Sequence, residues 1–109
     1  MRIDSFDDYQ QAARKTAFCP PEHKITYPAV GLAGEAGELA NKVKKLLRGD
    51  TNREELMDGI KAEMGDILWY LSALADDIGV NLSDVAGDNI AKLASRYERD
   101  TLRGAGDFR

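Results

Sequence analysis

The sequence predicts an all-α protein, a four-helix-bundle-like subunit that assembles into a helical oligomer. Apolar residues recur with helical spacing in three long segments, and proline or glycine interrupts the chain between predicted helices. No segment alternates apolar and polar residues for long enough to predict a strand. With 109 residues, the chain is expected to form one domain covering residues 1–109.

The first helix is predicted from Phe6 to about Ala17. Ser5 precedes it and is a good N-cap, because its hydroxyl accepts a hydrogen bond from a free backbone N–H. The helix is expected to end before Pro20, since proline lacks the backbone donor and restricts the preceding residue. The loop that follows carries the one histidine, His23, which we expect to be solvated.

Two long helices are predicted next, from about Pro28 to Arg48 and from about Arg53 to Ile78. Gly49 and Gly79 follow them as C-terminal stops. The first stripe consists of Leu32, Ala36, Leu39, Val43, Leu46 and Leu47. The second stripe consists of Leu56, Ile60, Met64, Ile67, Leu71, Leu74 and Ile78.

A fourth helix is predicted from about Asp84 to Tyr97, with Ser83 as its N-cap. Its apolar face carries Ala86, Ile90, Leu93 and Tyr97. The charged tail from Glu98 to Arg109 contains two glycines and is expected to be irregular.

Charge and cysteine content restrict the classes of function. The net charge of −4 and the isoelectric point near 4.9 argue against a protein that binds duplex nucleic acid. The single cysteine, Cys19, excludes an internal disulfide and fits a reducing compartment. We see no signal peptide and no apolar run of bilayer length, so a cytoplasmic protein without a membrane partner is expected.

Two segments repeat the pattern carboxylate, any residue, glycine, carboxylate. They are Glu35–Glu38 and Glu63–Asp66. Residues three apart are neighbours on a helix, so each segment presents two carboxylates together. With 19 acidic residues, chance alone gives roughly three such pairs. The pairs are therefore informative only because of their placement.

On the helical wheel, Glu35 and Glu63 border the apolar stripes, while Glu38 and Asp66 lie one step outward. If the stripes pack together, the four acids converge at one edge of the interface. Oxygen ligands favour Mg²⁺, with Mn²⁺ as a substitute. A di-iron bundle would need Glu-x-x-His motifs, and neither helix has a histidine.

Glycines cluster around the acids at Gly34, Gly37 and Gly65, although each costs about 1 kcal/mol relative to alanine in a helix interior. We expect them to leave room for a neighbouring helix or for a phosphate. The alternative is a solvated acidic face beside a close helix crossing.

The chain resembles the MazG-type nucleotide pyrophosphohydrolases over most of its length. The similarity is carried by the segment from Tyr27 to Leu39 and by the segment from Glu63 to Leu71, which includes Trp69. The resemblance implies an all-α fold assembled as a homodimer or homotetramer. It also implies hydrolysis of (deoxy)nucleoside triphosphates, with Mg²⁺, to the monophosphate and pyrophosphate.

By this resemblance, the metal ligands are Glu35, Glu38, Glu63 and Asp66. Many members carry a doubled glutamate at the start of the motif, whereas here Gly34 precedes Glu35. In similar proteins an asparagine and a lysine contact the nucleotide, which points to Asn89 and Lys92.

Residue chemistry suggests further roles in such a site. Glu35 or Glu38 is a candidate to orient or deprotonate the attacking water, and the sequence does not choose between them. The candidate phosphate-binding cations are Lys42, Lys45, Lys92 and Arg96. Trp69 is a candidate to stack on a base.

Two other functions remain open at this stage. One is a non-catalytic helical module for oligomerisation or interaction, and the other is a nucleotide phosphohydrolase of another class.

Overall fold

The computed structural model describes all 109 residues and confirms the all-α class. The helices are α1 (Phe6–Arg14), α2 (Thr26–Leu47), α3 (Arg53–Ile78) and α4 (Leu82–Glu98), with a short 3-10 helix at Pro21–His23. The chain contains no strand. No helix combines the length and apolar character needed to cross a membrane.

The centre of the fold is an antiparallel hairpin of α2 and α3, the two helices that pack most extensively. The predicted bounds of α3 are confirmed, with Asn52 accepting from the Glu55 N–H at the start and Gly79 in a left-handed conformation at the end. The short connection between the helices returns α3 along α2. The two acidic motifs consequently lie beside each other.

Helices α1 and α4 pack together at the end of the hairpin where α3 stops. The N-cap role of Ser5 is confirmed, because its side chain accepts from the Asp8 N–H. Helix α1 ends at Arg14, earlier than predicted, and Arg14 forms an ion pair with Asp76 of α3 at 2.8 Å.

The predicted N-cap of α4 is wrong. The helix begins at Leu82, and the Ser83 hydroxyl instead donates to Asp7 at 2.9 Å. The Leu82 N–H, which has no partner within α4, donates to the side-chain amide oxygen (Oε1) of Gln10 in α1 at 2.8 Å. Gln10 is fully buried, so a side chain from α1 fixes the start of α4.

The core of a single chain is small. Only eight residues are buried, and four of them are polar or charged. The radius of gyration is 16.7 Å, against about 13 Å for a compact domain of this length. Several predicted stripe residues are exposed, including Met64 at 60% and Ile90 at 66%, because α3 and α4 have neighbours on one side only.

Candidate active site

Three carboxylates from the two acidic motifs meet between α2 and α3. Glu35, Glu63 and Asp66 each offer an oxygen atom, and these atoms all lie within 4.8 Å of one another. Glu63 is buried, Glu35 is half-buried and Asp66 is exposed. The cluster, called the acidic trio below, therefore runs from the helix interface out to solvent, as the helical periodicity predicted for these three residues.

One cationic side chain pairs with the acidic trio. Lys42 of α2 lies 2.7 Å from one carboxylate oxygen of Glu63. This hydrogen bond is the main reason that the pKa of Glu63 is lowered and the pKa of Lys42 is raised. The second oxygen of Glu63, Oε2, is buried and has no hydrogen-bond partner while Glu35 is ionised. Such an atom is costly unless a ligand satisfies it.

Glu35 is the member of the trio most disposed to hold a proton. Its hydrogen bond with Glu63 is the main cause of its raised pKa, and burial adds to it. The negative charges of Glu63, Asp66 and Glu38 act in the same direction. Like charges held this close resist simultaneous ionisation, and a bound cation would relieve that repulsion.

Glu38 lies one turn along α2 from Glu35 and is exposed. It is not among the three residues whose carboxylate oxygens come together. Its charge nevertheless raises the pKa of both Glu35 and Lys42. Its roles as ligand and as catalytic base stay predictions.

An aromatic cavity adjoins the trio. It has a volume of about 280 Å³ and is lined by Thr16, Phe18, Glu35, Asp66, Trp69 and Tyr70. The rings of Phe18 and Trp69 are stacked, with centroids 5.3 Å apart and planes at 19°. Tyr70 meets Trp69 edge-on at a centroid distance of 5.2 Å. One cavity is thus lined both by carboxylates and by aromatic rings.

The glycines around the acids border open space within the chain, so no close helix crossing is found there, and their expected role of leaving room for a phosphate stays a prediction. A side chain at Gly34, Gly37 or Gly65 would meet nothing within 4 Å, so these positions face open space rather than a close crossing within the chain. The close approach is at Gly31, where an added Cβ would overlap the Tyr70 ring. Gly31 allows Tyr70 to lie directly against the α2 backbone, and Tyr70 lines the cavity.

The predicted substrate-binding cations are spread over the molecule. Lys42 reaches the trio, and Lys45 lies beside it in a small cleft with Thr51 and Glu55. Trp69 lines the aromatic cavity.

The predicted residues of α4 do not belong to either cavity. Asn89 and Lys92 are exposed on this helix. Arg96 is buried, and its guanidinium donates to the tail carbonyls of Gly106 and Asp107. A contact between these three residues and a nucleotide stays a prediction.

Sequence reasoning missed Thr16 and Phe18. The Thr16 hydroxyl accepts a hydrogen bond from the Trp69 indole N–H at 2.9 Å, across more than fifty residues of chain. Helical periodicity cannot find such a contact, because it joins a loop to a helix. The one available signal was Phe18 itself, an aromatic residue next to the predicted loop and just before Cys19 and Pro20.

Comparisons with known proteins agree with this geometry. The family model described as the MazG nucleotide pyrophosphohydrolase domain matches residues 25–100, which include both acidic motifs. No solved structure matches the chain at a significant level.

Two curated relatives are similar in sequence. The gene 37 protein of Mycobacterium phage L5 is 43% identical over 111 residues, covering 94% of this chain and 97% of the relative. The uncharacterized protein YvdC of Bacillus subtilis strain 168 is 36% identical over 74 residues, covering 62% of this chain and 70% of the relative. Taken with the trio and its helical hairpin, these matches establish that the chain belongs to the MazG nucleotide pyrophosphohydrolase family.

Proposed function

We propose that the protein hydrolyses a (deoxy)nucleoside triphosphate at the α-phosphorus, with Mg²⁺, to give the monophosphate and pyrophosphate. The observation that carries the proposal is the joint lining of one cavity by the trio carboxylates Glu35 and Asp66 and by the rings of Phe18 and Trp69. A nucleotide uses both kinds of surface. Its phosphates bind cations that carboxylates hold, and its base stacks on aromatic rings.

The trio fits a hard divalent cation. It offers oxygen donors only, and their mutual separations of at most 4.8 Å allow one ion to contact all three residues. The unpartnered, buried Oε2 atom of Glu63 supports a ligand in this position. Mg²⁺ held by Glu35, Glu63 and Asp66, with Glu38 as a possible fourth ligand, would neutralise phosphate charge and lower the pKa of a nearby water.

Glu35 is our candidate for the group that accepts a proton from the attacking water. Its carboxylate is half-buried at the border of the aromatic cavity, where a water molecule can reach it. It also lines the cavity, so it lies on the side where the substrate would be. Glu38, one turn away, is the alternative base.

Lys42 and Lys45 are proposed to meet the phosphate oxygens. Lys42 already holds Glu63 in its ionised form, since their hydrogen bond lowers the pKa of the carboxyl group. Charge supplied in advance at the reacting phosphate stabilises the transition state without reorganisation. Trp69 and Phe18 would hold the base.

We also propose that the protein acts as a homodimer or homotetramer. On α3, Met64 and Ile78 are 60% and 54% exposed, and on α4 Ile90 is 66% exposed. Exposed apolar surface of this extent is typical of an interaction face.

The alternative of a non-catalytic helical module draws support from the same exposed residues. The acidic trio favours the enzyme, because three carboxylates with oxygens within 4.8 Å of one another repel when ionised and a structural hairpin does not need them.

The test is product analysis in ¹⁸O-labelled water with a panel of nucleoside triphosphates and Mg²⁺. Attack at the α-phosphorus places the label in the monophosphate and releases pyrophosphate. Label in inorganic phosphate would identify another class of phosphohydrolase, and no turnover of any triphosphate would favour the interaction module.

Single substitutions test whether the predicted carboxylates are needed for turnover. Asp66→Asn and Glu38→Gln should each lower kcat by about 100-fold or more if these carboxylates serve the transition state. Asp58→Asn is the matched control, because Asp58 is exposed on α3 outside both cavities. Wild-type turnover in both site variants would overturn the assignment of the residues.

A further inference from the structure

The segment between α1 and α2, residues 15–25, lies along α3 and is attached to it at two places. Near its start, Thr16 accepts a hydrogen bond from the Trp69 indole N–H at 2.9 Å, and Phe18 stacks on the Trp69 ring. Near its end, the Ile25 N–H donates to a carboxylate oxygen of Asp77 at 2.8 Å. Both partners belong to α3, eight residues apart in the sequence.

The second attachment holds a strained backbone. Ile25 has φ 67° and ψ −56°, and the Thr26 N–H donates to the Lys24 carbonyl at 2.7 Å. This is a γ-turn of the rare positive-φ kind, which is unfavourable for a β-branched side chain. Such a conformation persists only where its surroundings impose it. The Ile25 carbonyl accepts from the Ala29 N–H in the first turn of α2, and the hydrogen bond to Asp77 is the contact that ties the strained residue to α3.

Asp77 differs from its neighbour in what it binds. Asp76 receives donors from Gln10 and Arg14 and thereby fixes α1 to α3. Asp77 instead faces the segment. It accepts from Ile25, and its charge acts on Cys19, where it adds to burial in raising the thiol pKa. Cys19 follows Phe18 directly in the sequence.

We propose that Asp77 is a positioning residue for nucleobase binding. By holding Ile25 in the γ-turn, it fixes the end of the segment and so keeps Phe18 stacked on Trp69. The stacked pair then presents a preformed flat surface to the base, at the edge of the cavity that also contains Glu35 and Asp66. This inference rests on the proposed hydrolysis of nucleotides, because it assigns the base-binding end of that same cavity.

A preformed stacking surface affects binding rather than the chemical step. When the segment is released, Phe18 becomes ordered only as the base binds. The conformational entropy lost in that step weakens ground-state affinity. The phosphate end of the substrate and the trio are held by α2 and α3 and do not depend on the segment. Loss of Asp77 should therefore raise KM and leave kcat nearly unchanged.

Trp69 is the only tryptophan, so its fluorescence reports the state of the stack without substrate. Asp77→Ala should raise the acrylamide quenching constant of Trp69 about twofold, because local opening exposes the ring. It should raise KM about fivefold and change kcat less than about twofold. Asp77→Asn keeps a carbonyl acceptor for the Ile25 N–H, so its quenching constant and its KM should stay near the wild-type values.

The control is Asp58→Ala, which removes an exposed carboxylate from the same helix and should change neither measurement. If Asp77→Ala fails to show a cooperative urea transition, Thr16→Val tests the other attachment. Valine is close to threonine in shape but lacks the hydroxyl that accepts from Trp69, so this variant should give the same rise in quenching and in KM.

The two proposals fail in distinguishable ways. Wild-type protein that turns over no triphosphate overturns the proposed function, while the quenching comparison still decides whether Asp77 holds the segment. Quenching and KM that match wild type in folded Asp77→Ala protein overturn the positioning role, whatever Thr16→Val gives, while hydrolysis itself stands. A fall in kcat with unchanged KM would likewise contradict it, since it would place Asp77 in the chemical step.

Discussion

Replacing Gly31 by alanine should destabilise the protein, although alanine is the better helix former. The added Cβ would overlap three carbons of the Tyr70 ring. Forcing an extra methyl group into such a contact costs about 1–3 kcal/mol, while alanine regains about 1 kcal/mol of helix propensity. Overlap with three ring carbons belongs to the upper part of that range, about 2–3 kcal/mol, so the net expectation is a loss of about 1–2 kcal/mol. This lowers the urea midpoint by roughly 1 M for a chain of this size.

The matched control is Gly34→Ala, one turn further along α2. Nothing lies within 4 Å of a Cβ at this position, so the same substitution should stabilise the isolated chain by up to about 1 kcal/mol. Urea unfolding followed by circular dichroism measures both variants. In the Tyr70→Ala background the cost of Gly31→Ala should disappear, because the ring it meets is gone.

Gly31→Ala should also weaken binding at the candidate site. Tyr70 lines the cavity and meets Trp69 edge-on, so a displaced Tyr70 ring should weaken nucleotide binding. The reasoning is refuted if Gly31→Ala is as stable as wild type, or if Gly31→Ala and Gly34→Ala change stability in the same direction.

Two further predictions concern single contacts. Gly59→Ala puts a Cβ 3.0 Å from the Lys42 side chain and should weaken its pairing with Glu63, so the lowered Glu63 pKa should rise toward its usual value in a carbon NMR titration. An unchanged pKa would contradict this. Burial, and then Asp77, raise the Cys19 pKa, so alkylation at pH 8 should be slower than for an unfolded thiol. Asp77→Asn removes the charge and should accelerate the reaction; an unchanged rate would exclude that influence.

Much of the site followed from helical periodicity. Glu35 and Glu63 were predicted to border the apolar stripes, and the structure has one half-buried and the other buried, with Asp66 exposed beside them. Periodicity works here because α2 and α3 are long, regular helices that pack on each other. Periodicity places Glu38 and Asp66 alike one step outward, and both are exposed, but only Asp66 has a carboxylate oxygen close to those of Glu35 and Glu63.

The errors came from contacts between distant parts of the chain. Ser83 looked like an N-cap, but Gln10 of α1 satisfies the start of α4 instead. The glycines around the acids were expected to leave room for a neighbouring helix or for a phosphate, and within the chain they face open space. The tight contact lies at Gly31, whose neighbour Tyr70 is identifiable only once α2 and α3 are aligned. The link between Thr16 and Trp69 is equally non-local. Local propensity carries no information about such pairings.

Direct measurement of cation binding tests the acidic trio most directly. Titration with Mn²⁺ monitored by electron paramagnetic resonance counts bound ions without nucleotide or turnover. We expect wild-type protein to bind Mn²⁺, Mg²⁺ to compete for the same site, and Glu35→Gln or Asp66→Asn to weaken the affinity by about tenfold or more. Asp58→Asn should bind like wild type. Equal Mn²⁺ affinity in wild type and in both trio variants would contradict a shared metal site at Glu35, Glu63 and Asp66.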